Sequence, residues 1–245
     1  MLMTQKGLST WIIGWILSLF VAACSQQPAV YGPGQVVPER ILSEGGADSF
    51  FICQEIPDTI FDFMQGRSYK EDCTVPRTDL RYLLFLHRNL DGQAVIGEMV
   101  VNRQIADDVL EIMQQLFYES YPIERARLID YYDADDEKSM AANNTSCFNW
   151  RVKAGSGNIS KHAMGMAVDI NPLYNPYYRF PSVDETLQPS SAEPYMDRMW
   201  NFPYKIEEDD LCCKLFAEHG FLWGGNCWDD EKDYQHFFIE EGIKR

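Results

Sequence analysis

Residues Ser160–Asp169 combine two metal-binding side chains with a glycine that permits a sharp turn. They follow the pattern S-x-H-x-x-G-x-A-x-D, in which His162 and Asp169 lie on either side of Gly165. Imidazole nitrogens and carboxylate oxygens are good zinc ligands, and a catalytic zinc site takes three protein ligands and leaves another position for water. Because glycine adopts turn conformations that other residues avoid, His162 and Asp169 can meet at one point. The ordinary alternative is a histidine and an aspartate that are bonded only to nearby backbone.

A second motif, D-x-x-H-F, lies near the C-terminus and contains Asp233 and His236. The chain has only 4 histidines, so a second histidine beside a carboxylate is informative. A zinc hydrolase needs a further metal ligand and a separate carboxylate that accepts a proton from water. This motif can supply both groups, with His236 as the ligand and Asp233 as the base.

Together the two motifs resemble the zinc peptidases of the D-alanyl-D-alanine carboxypeptidase and L-alanyl-D-glutamate endopeptidase family. That family cuts peptidoglycan stem peptides and shares its fold with the Hedgehog signalling domain. Other segments resemble the same family in the same order, so the resemblance covers roughly residues 80–240. These segments are Gly97–Asn102, Tyr121–Ile123, Ser139–Ser146, Phe148–Arg151 and Trp223–Gly225.

The resemblance implies a zinc ion held by His162, Asp169 and His236, with Asp233 as the general base. It also implies that Arg151 faces a substrate carbonyl or carboxylate. A fixed guanidinium at that place stabilises the oxyanion that forms when water adds to a peptide bond. The alternative for Arg151 is a salt bridge to one of the many acidic residues.

Four further residues are expected to contact the substrate: Ser160, Asn144, Ser146 and Trp223. Ser160 can instead orient the His162 ring, and Asn144 and Ser146 are equally suited to forming turns. The irregular, proline-containing segment from Asn171 to about Tyr204 is predicted to be a loop that covers the site. The acidic residues Asp229, Asp230 and Glu231 are predicted to be surface charges.

The N-terminal residues are predicted to be a bacterial lipoprotein signal. Residues 1–23 combine Lys6 with an apolar run that ends in Val-Ala-Ala, directly before Cys24. A plain secretory signal and an uncleaved membrane span are the alternatives. Residues 24–45, which contain several prolines and glycines, are predicted to be a flexible tether. Residues 46–245 then form the predicted peptidase domain.

Charge and cysteine content restrict the partners and the compartment. The 245 residues carry a formal net charge of -16 without a basic patch, so no nucleic-acid partner is expected; we expect a monomer. All but one of the 7 cysteines follow Cys24, as suits an oxidising compartment. The first expected disulfide is Cys53–Cys73, and the next joins Cys227 to Cys212 or Cys213. Free buried thiols are the alternative.

Hydrophobic periodicity predicts an α+β fold, a single domain with a central antiparallel sheet and flanking helices. The resemblance implies that this domain is of the Hedgehog/DD-peptidase type. Predicted strands are Leu80–His87, Glu98–Val101, Arg127–Tyr132, Phe221–Trp223 and His236–Ile239. Residues 104–119 are predicted to be a helix. Asp133–Lys138 is predicted to be an acidic loop, and a second helix is predicted after Asp209 or Asp210.

These observations predict a zinc-dependent peptidase of the bacterial cell envelope, anchored by lipid on Cys24 and facing the periplasm or the exterior. Its expected substrates are peptidoglycan peptides, cleaved at a bond that involves a D-amino acid. The sequence does not separate a D-alanyl-D-alanine carboxypeptidase from an L-alanyl-D-glutamate endopeptidase. The alternative from another class is a non-catalytic, zinc-containing protein that binds the cell wall on the same fold.

Overall fold

Short strands and helices alternate irregularly along the chain in the computed structural model, which describes residues 31–152, 157–179 and 186–240. The strands are β1 (Val36–Val37), β2 (Ile52–Gln54), β3 (Leu80–Arg88), β4 (Ala94–Asn102), β5 (Arg125–Ala126), β6 (Asn144–Thr145), β7 (Ala167–Asp169), β8 (Tyr177–Arg179), β9 (Thr186–Gln188), β10 (Leu222–Trp223), β11 (Glu231–Asp233) and β12 (His236–Phe238). The α-helices are α1 (Glu39–Gly45), α2 (Asp58–Met64), α3 (Ala106–Tyr118), α4 (Asp136–Ala141) and α5 (Leu211–Glu218). Short 3-10 helices cover Ala47–Phe50, Arg77–Asp79, Ile129–Tyr132, His162–Met164 and Ser190–Tyr195.

The β3–β4 hairpin forms the centre of an antiparallel sheet with the strand order β1-β4-β3-β2. Every residue of β4 is buried, because the hairpin is covered on both faces. Met99 and Val101 pack towards α3, whereas Val100 between them packs with Met64 of α2. This alternation is the two-residue period of a strand, and it builds one hydrophobic cluster on each side of the sheet.

Helix α3 covers one face of this sheet with a continuous apolar stripe. Val109, Ile112, Met113 and Leu116 lie at helical spacing and are at most 1 % exposed. Burying an aliphatic side chain of this size contributes about 1.5–3 kcal/mol to stability. The helix predicted for residues 104–119 is therefore confirmed, as is the α+β class with its central antiparallel sheet.

Two smaller antiparallel sheets follow in the second half of the chain. One has the strand order β10-β12-β7 and the other the order β11-β8-β9. Strands β11 and β12 are joined by a two-residue connection, Tyr234–Gln235. The two sheets are thereby adjacent, and their strand ends form the walls of the site described below.

The predicted strand Arg127–Tyr132 is wrong. Pairing stops at Ala126, and the chain turns into the 3-10 helix Ile129–Tyr132. The reason is a buried carboxylate: Asp130 accepts hydrogen bonds from the amide and the hydroxyl of Ser68 at 3.0 and 2.9 Å. The predicted acidic loop Asp133–Lys138 is also partly helical, because Asp135 caps α4 by accepting from the amide of Lys138. The helix predicted after Asp209 or Asp210 is confirmed as α5, and Asp210 caps it by accepting from the amide of Cys212.

The flexible tether predicted for residues 24–45 is folded in its described part. Strand β1 pairs with β4, and Val37 and Leu42 are buried in a cluster with Ile96 of the central sheet. The apolar residues among the prolines explain this correction, since they complete the edge of the sheet. The predicted signal, Cys24 and the first part of the tether lie outside the described residues.

The predicted disulfide Cys53–Cys73 is not formed, and all six cysteines of the described residues are free thiols. Cys53 on β2 packs towards the α3 side of the sheet, whereas Cys73 packs into the cluster on the opposite side. The two sulfur atoms are thus directed to different faces of the sheet. Cys212 and Cys213 are buried beside α3, while Cys227 is exposed. None of the helices in residues 31–152, 157–179 and 186–240 is long and apolar enough to span a membrane.

Candidate metal centre and active-site cleft

His162, Asp169 and His236 converge on one point. Nε2 of His162 lies 3.1 Å from Nδ1 of His236 and 3.1 Å from Oδ2 of Asp169. Nδ1 of His236 lies 2.9 Å from Oδ1 of Asp169. Side chains from two separate motifs thus bring their ligand atoms within 4.8 Å of one another.

The pairing of β7 with β12 brings two of these side chains together. In this antiparallel pair, Asp169 is the direct partner of His236. Side chains of directly opposed residues project from the same face of a sheet within a few ångströms of each other. Ser146 adds a backbone bridge on the other side of Asp169, with N–O distances of 3.1 and 2.9 Å. The Asp169 backbone is therefore fixed from both sides.

A glycine turn brings His162 to the same point. Gly165 ends the 3-10 helix that carries His162 and has a φ of 66°. A Cβ atom at Gly165 would lie 2.7 Å from the amide nitrogen of Asn102. That amide donates to the carbonyl of Gly165 at 2.9 Å, and the Asn102 side chain donates to the carbonyl of Met164 at 3.0 Å. The end of β4 therefore holds the turn in place.

The orientation of the His162 ring is set by its second nitrogen. Nδ1 of His162 lies 2.8 Å from the carbonyl oxygen of Cys147, which can only accept a hydrogen bond. The Nδ1 atom therefore carries a proton, which leaves Nε2 as the ring atom that can bind a metal. This arrangement, a ligand histidine that donates to a carbonyl, is the usual support of a metal ligand. Ser160 contributes by accepting from the amide of His162 at 3.2 Å.

The charges of the three groups depend on each other. Although burial opposes its ionisation, the imidazoles of His162 and His236 hold the pKa of Asp169 well below its usual range. Burial lowers the pKa of His162, but the Asp169 carboxylate raises it by a larger amount, so the pKa lies above its ordinary value. Asp169 is thus an anion that strongly favours a positive charge beside it.

The three side chains fit a zinc ion. Tetrahedral zinc with bonds of about 2.0–2.1 Å separates its ligand atoms by roughly 3.3 Å. The two imidazole nitrogens are 3.1 Å apart, and they lie 2.9 and 3.1 Å from the two different oxygens of Asp169, so the separations are of this order. Two imidazoles and one carboxylate are also a ligand set that catalytic zinc sites use. A metal site formed by these residues, as predicted, is therefore consistent with the structure.

Asp233 is the last residue of β11 and lines the same cleft as His162, Asp169 and His236. Its amide donates to the carbonyl of Gly224 at 3.1 Å, and the Gly224 amide donates to the carbonyl of His236 at 2.8 Å. Burial raises the pKa of Asp233 to about 6; the Asp169 charge adds to this effect and the two histidines oppose it. Oδ1 of Asp233 is buried without a hydrogen-bond partner among the described residues. This oxygen is available to accept a proton.

A cleft of about 500 Å³ opens over these groups. It is lined by the three ligand residues, Asp233 and Arg151. Arg151 forms an ion pair through Nε with Asp136 of α4. Both interpretations of Arg151 from the sequence thus apply to its position, because it has an acidic partner and also borders the cleft.

The predicted substrate contacts are divided between the cleft and the interior. Ser160 lines the cleft. Asn144 is fully buried, and its side chain forms hydrogen bonds with the Arg127 backbone and the Ser139 hydroxyl. These contacts are structural. Ser146 acts through its backbone on Asp169.

Trp223 also lies outside the cleft lining, and its Nε1 donates to the carbonyl of Tyr234 at 2.9 Å. A Cβ atom at Gly225 would lie 2.4 Å from the Trp223 ring, so the W-G-G segment is a tight packing motif. Because Tyr234 follows Asp233 directly, Trp223 holds the backbone that carries the candidate base. Its position supports a role in positioning rather than in substrate contact.

The prediction that Glu231 is a surface acid is wrong. Glu231 is 8 % exposed, lines the cleft, and accepts hydrogen bonds from Tyr177 and Arg179. The segment from Asn171 to Tyr204 is likewise more than an irregular loop, because it contains β8 and β9.

Sequence reasoning also missed Gln235, which is buried in the cleft wall with its Oε1 unpaired within the described ranges. For other cleft residues a signal was available in the sequence. Tyr177 and Arg179 are two residues apart, as are Glu231 and Asp233, and residues at this spacing share one face of a strand.

Residues 154–239 match a family model described as D-alanyl-D-alanine carboxypeptidase. The match confirms the predicted resemblance for the part of the chain that holds all three candidate metal ligands and Asp233; Arg151 precedes it. The match supports, at the level of the family, a peptidase that acts on peptidoglycan. No curated protein and no solved structure matches the chain.

Proposed function

We propose that this protein is a zinc-dependent peptidase that hydrolyses peptidoglycan stem peptides at a bond involving a D-amino acid. The observation that carries the proposal is the position of Asp233. Its buried carboxylate, with a pKa raised to about 6, lines the same cleft as the cluster of His162, Asp169 and His236. A cluster of metal ligands beside a free carboxylate with a pKa near neutrality is the arrangement that metal-assisted hydrolysis requires.

In the proposed reaction, zinc held by the three side chains would act as a Lewis acid on the substrate carbonyl and on water. Asp233 accepts a proton from the attacking water while the new C–O bond forms. It then passes the proton to the amide nitrogen as the C–N bond breaks, which releases an amine and a carboxylic acid. The acid ionises, and its proton, the second one from the water, is taken up by the amine or the solvent. The pKa of about 6 suits both steps, because the group must accept and then release a proton near neutral pH.

Arg151 is proposed to stabilise the oxyanion on the former carbonyl. The ion pair with Asp136 supports this role because it fixes the guanidinium at the cleft wall. A donor fixed in advance needs no reorganisation during the reaction. Ser160 is proposed to orient the His162 turn and to border the substrate.

The protein is proposed to act in the bacterial cell envelope, tethered by lipid on Cys24. The support is the sequence Val-Ala-Ala-Cys after an apolar run, together with a peptidoglycan-directed family.

The test is digestion of purified muropeptides by residues 31–245, with and without a zinc chelator, followed by mass spectrometry. Chelator-sensitive loss of a terminal D-alanine identifies a carboxypeptidase, and cleavage between L-alanine and D-glutamate identifies an endopeptidase. Folded, zinc-loaded protein that yields no product would contradict the proposal and favour a non-catalytic protein that binds the wall.

A further inference from the structure

The sheet β11-β8-β9 presents two rows of side chains to the cleft. Antiparallel pairing places Tyr177 opposite both Asp233 and Gln188. Two residues further along β8, Arg179 lies opposite both Glu231 and Thr186. Residues two apart on a strand share a face, and all six of these side chains line the cleft.

The two rows are about 7 Å apart, because a strand rises about 3.3–3.4 Å per residue. The first row ends at Asp233, where the proposed chemistry takes place. In a peptide, the carboxylate of the residue after the scissile bond lies within about 4 Å of the scissile carbonyl carbon. Such a carboxylate falls between the two rows, within reach of a long side chain on the second row.

Arg179 is the cation of the second row, and it is held in place. Its Nε and Nη2 lie 3.3 and 3.1 Å from Oε2 of Glu231, which also accepts from the Tyr177 hydroxyl at 2.6 Å. The Glu231 side chain is 10 % exposed, whereas that of Arg179 is 42 % exposed. Glu231 is thus a buried support for a guanidinium that lines the cleft and stays partly exposed.

We propose that Arg179 binds the free C-terminal carboxylate of the substrate and thereby selects peptides that are cut at their last bond. This inference rests on the proposed function, and it makes that function a carboxypeptidase. A guanidinium binds a carboxylate through two parallel hydrogen bonds, and an orientation fixed in advance reduces the entropy that binding costs. Thr186 and Gln188 complete this wall of the cleft.

The other cations of the cleft are less suited to the same role. Arg151 is paired with Asp136 and lies with the residues around Ser160 rather than on the β8 wall. Lys161 lines the cleft, and no described residue accepts a hydrogen bond from its ammonium group. A flexible ammonium binds one carboxylate with less geometric selectivity than a guanidinium does. Lys161 therefore provides a control within the same cleft.

The experiment compares peptides that end in D-alanyl-D-alanine with either a free carboxylate or a carboxamide. Each is titrated calorimetrically into zinc-loaded Asp233→Asn protein, so that binding is measured without turnover. Arg179→Gln and Lys161→Gln are added separately to this background. Arg77→Gln is the control outside the cleft, since Arg77 also pairs with a carboxylate, that of Asp58, and is similarly exposed.

We expect Arg179→Gln to weaken binding of the free acid about 10- to 100-fold, the range of a charge-assisted hydrogen-bonded pair, and to leave binding of the amide nearly unchanged. Lys161→Gln and Arg77→Gln should preserve the preference for the acid. Equal loss for acid and amide in Arg179→Gln, or loss of the preference only in Lys161→Gln, would overturn the inference.

Turnover by the protein with Asp233 intact separates this inference from the proposed function. A protein that binds the acid through Arg179 but cleaves neither peptide contradicts the proposed function and leaves the inference standing. A protein that cleaves both peptides equally well, with or without Arg179, overturns the inference alone. Arg179→Gln removes the charged partner of the buried Glu231. Unchanged unfolding temperature and zinc content in this variant would show that it still folds.

Discussion

Gly224 and Asp233 approach so closely that a single methyl group does not fit between them. A Cβ atom at Gly224 would lie 2.6 Å from the carbonyl oxygen of Asp233 and 2.9 Å from its Cβ. Both contacts involve atoms close to the backbone, so that they cannot be relieved by rotating a long side chain. The glycine of the W-G-G segment therefore determines where the candidate base lies.

Gly224→Ala is expected to displace Asp233 and lower kcat about 10- to 100-fold, since small displacements of a catalytic group have effects of this size. Zinc binding should persist, because the β7–β12 pair that holds the ligands is not altered. Gly45→Ala is the control, as no atom lies within 4 Å of a Cβ at that position. Steady-state kinetics and metal analysis check the prediction, and an unaffected kcat in Gly224→Ala would contradict it.

Asp233→Asn is expected to reduce kcat about 100-fold or more, because an amide cannot accept the proton from water. The protein should still bind one zinc ion, since Asp233 is not among the three ligands. Asp233→Glu is the matched variant, as it keeps a carboxylate at a slightly different place and should retain part of the activity. Undiminished turnover by Asp233→Asn would remove Asp233 from the role of base.

The activity is expected to rise with pH through the ionisation of Asp233. Burial raises the pKa of this carboxyl to about 6 in the metal-free protein, and a bound cation lowers it. Only the ionised form accepts a proton, so kcat/KM should fall as pH decreases, with a midpoint at or below pH 6. Measurement of kcat/KM across the acid range tests this. A midpoint well above that value, or one unchanged in Asp233→Glu, would be inconsistent with the assignment.

His236→Ala is expected to abolish tight zinc binding, because it leaves two of the three protein ligands. His219→Ala is the control, since His219 pairs with Asp108 outside the metal centre. Metal analysis after dialysis gives the stoichiometry for both variants. A full complement of zinc in His236→Ala would show that the ligand set is a different one.

His87 is expected to make the protein less stable in acid. It is 2 % exposed, lies 2.6 Å from the carbonyl of Ile123, and has its pKa lowered by burial to about 4. Between this value and the ordinary 6.5, the unfolded chain binds a proton that the folded chain does not. Stability from this group is therefore complete above pH 6.5 and is lost as pH falls to about 4, by about 3 kcal/mol in total.

Urea unfolding at several pH values tests this contribution. His87→Asn is the comparison, because its amide nitrogen can still donate to the carbonyl of Ile123 but does not titrate. The variant should lose less stability than the original protein as pH falls from 6.5 to 4. Parallel pH profiles for the two proteins would refute the prediction.

The convergence of His162, Asp169 and His236 could be predicted from the sequence because each lies in a short motif whose spacing reflects local geometry. The Gly165 turn and the D-x-x-H segment are such motifs, and the periodicity of α3 is another local signal. The sequence left the role of Asn144 open, because an amide in a turn and an amide in a binding site have the same sequence signature. Its role depends on Arg127 and Ser139, which the fold brings to it.

Glu231 and Arg179 show why the rest of the cleft was not predictable. Each belongs to a strand of three residues, too short for a hydrophobic period, and each acquires its role from the register of β8 with β11. Residues Val37 and Leu42 illustrate the same limit in the predicted tether. Their few apolar side chains gain significance only because the edge of β4 is available to receive them.

The most direct test of the central claim is a zinc titration of metal-free protein with continuous measurement of stem-peptide hydrolysis. If His162, Asp169 and His236 form the only zinc site that hydrolysis requires, activity should be absent at first and rise linearly to a maximum at one equivalent of zinc. Full hydrolysis by the metal-free protein, or one tightly bound zinc ion without any hydrolysis, would contradict the account.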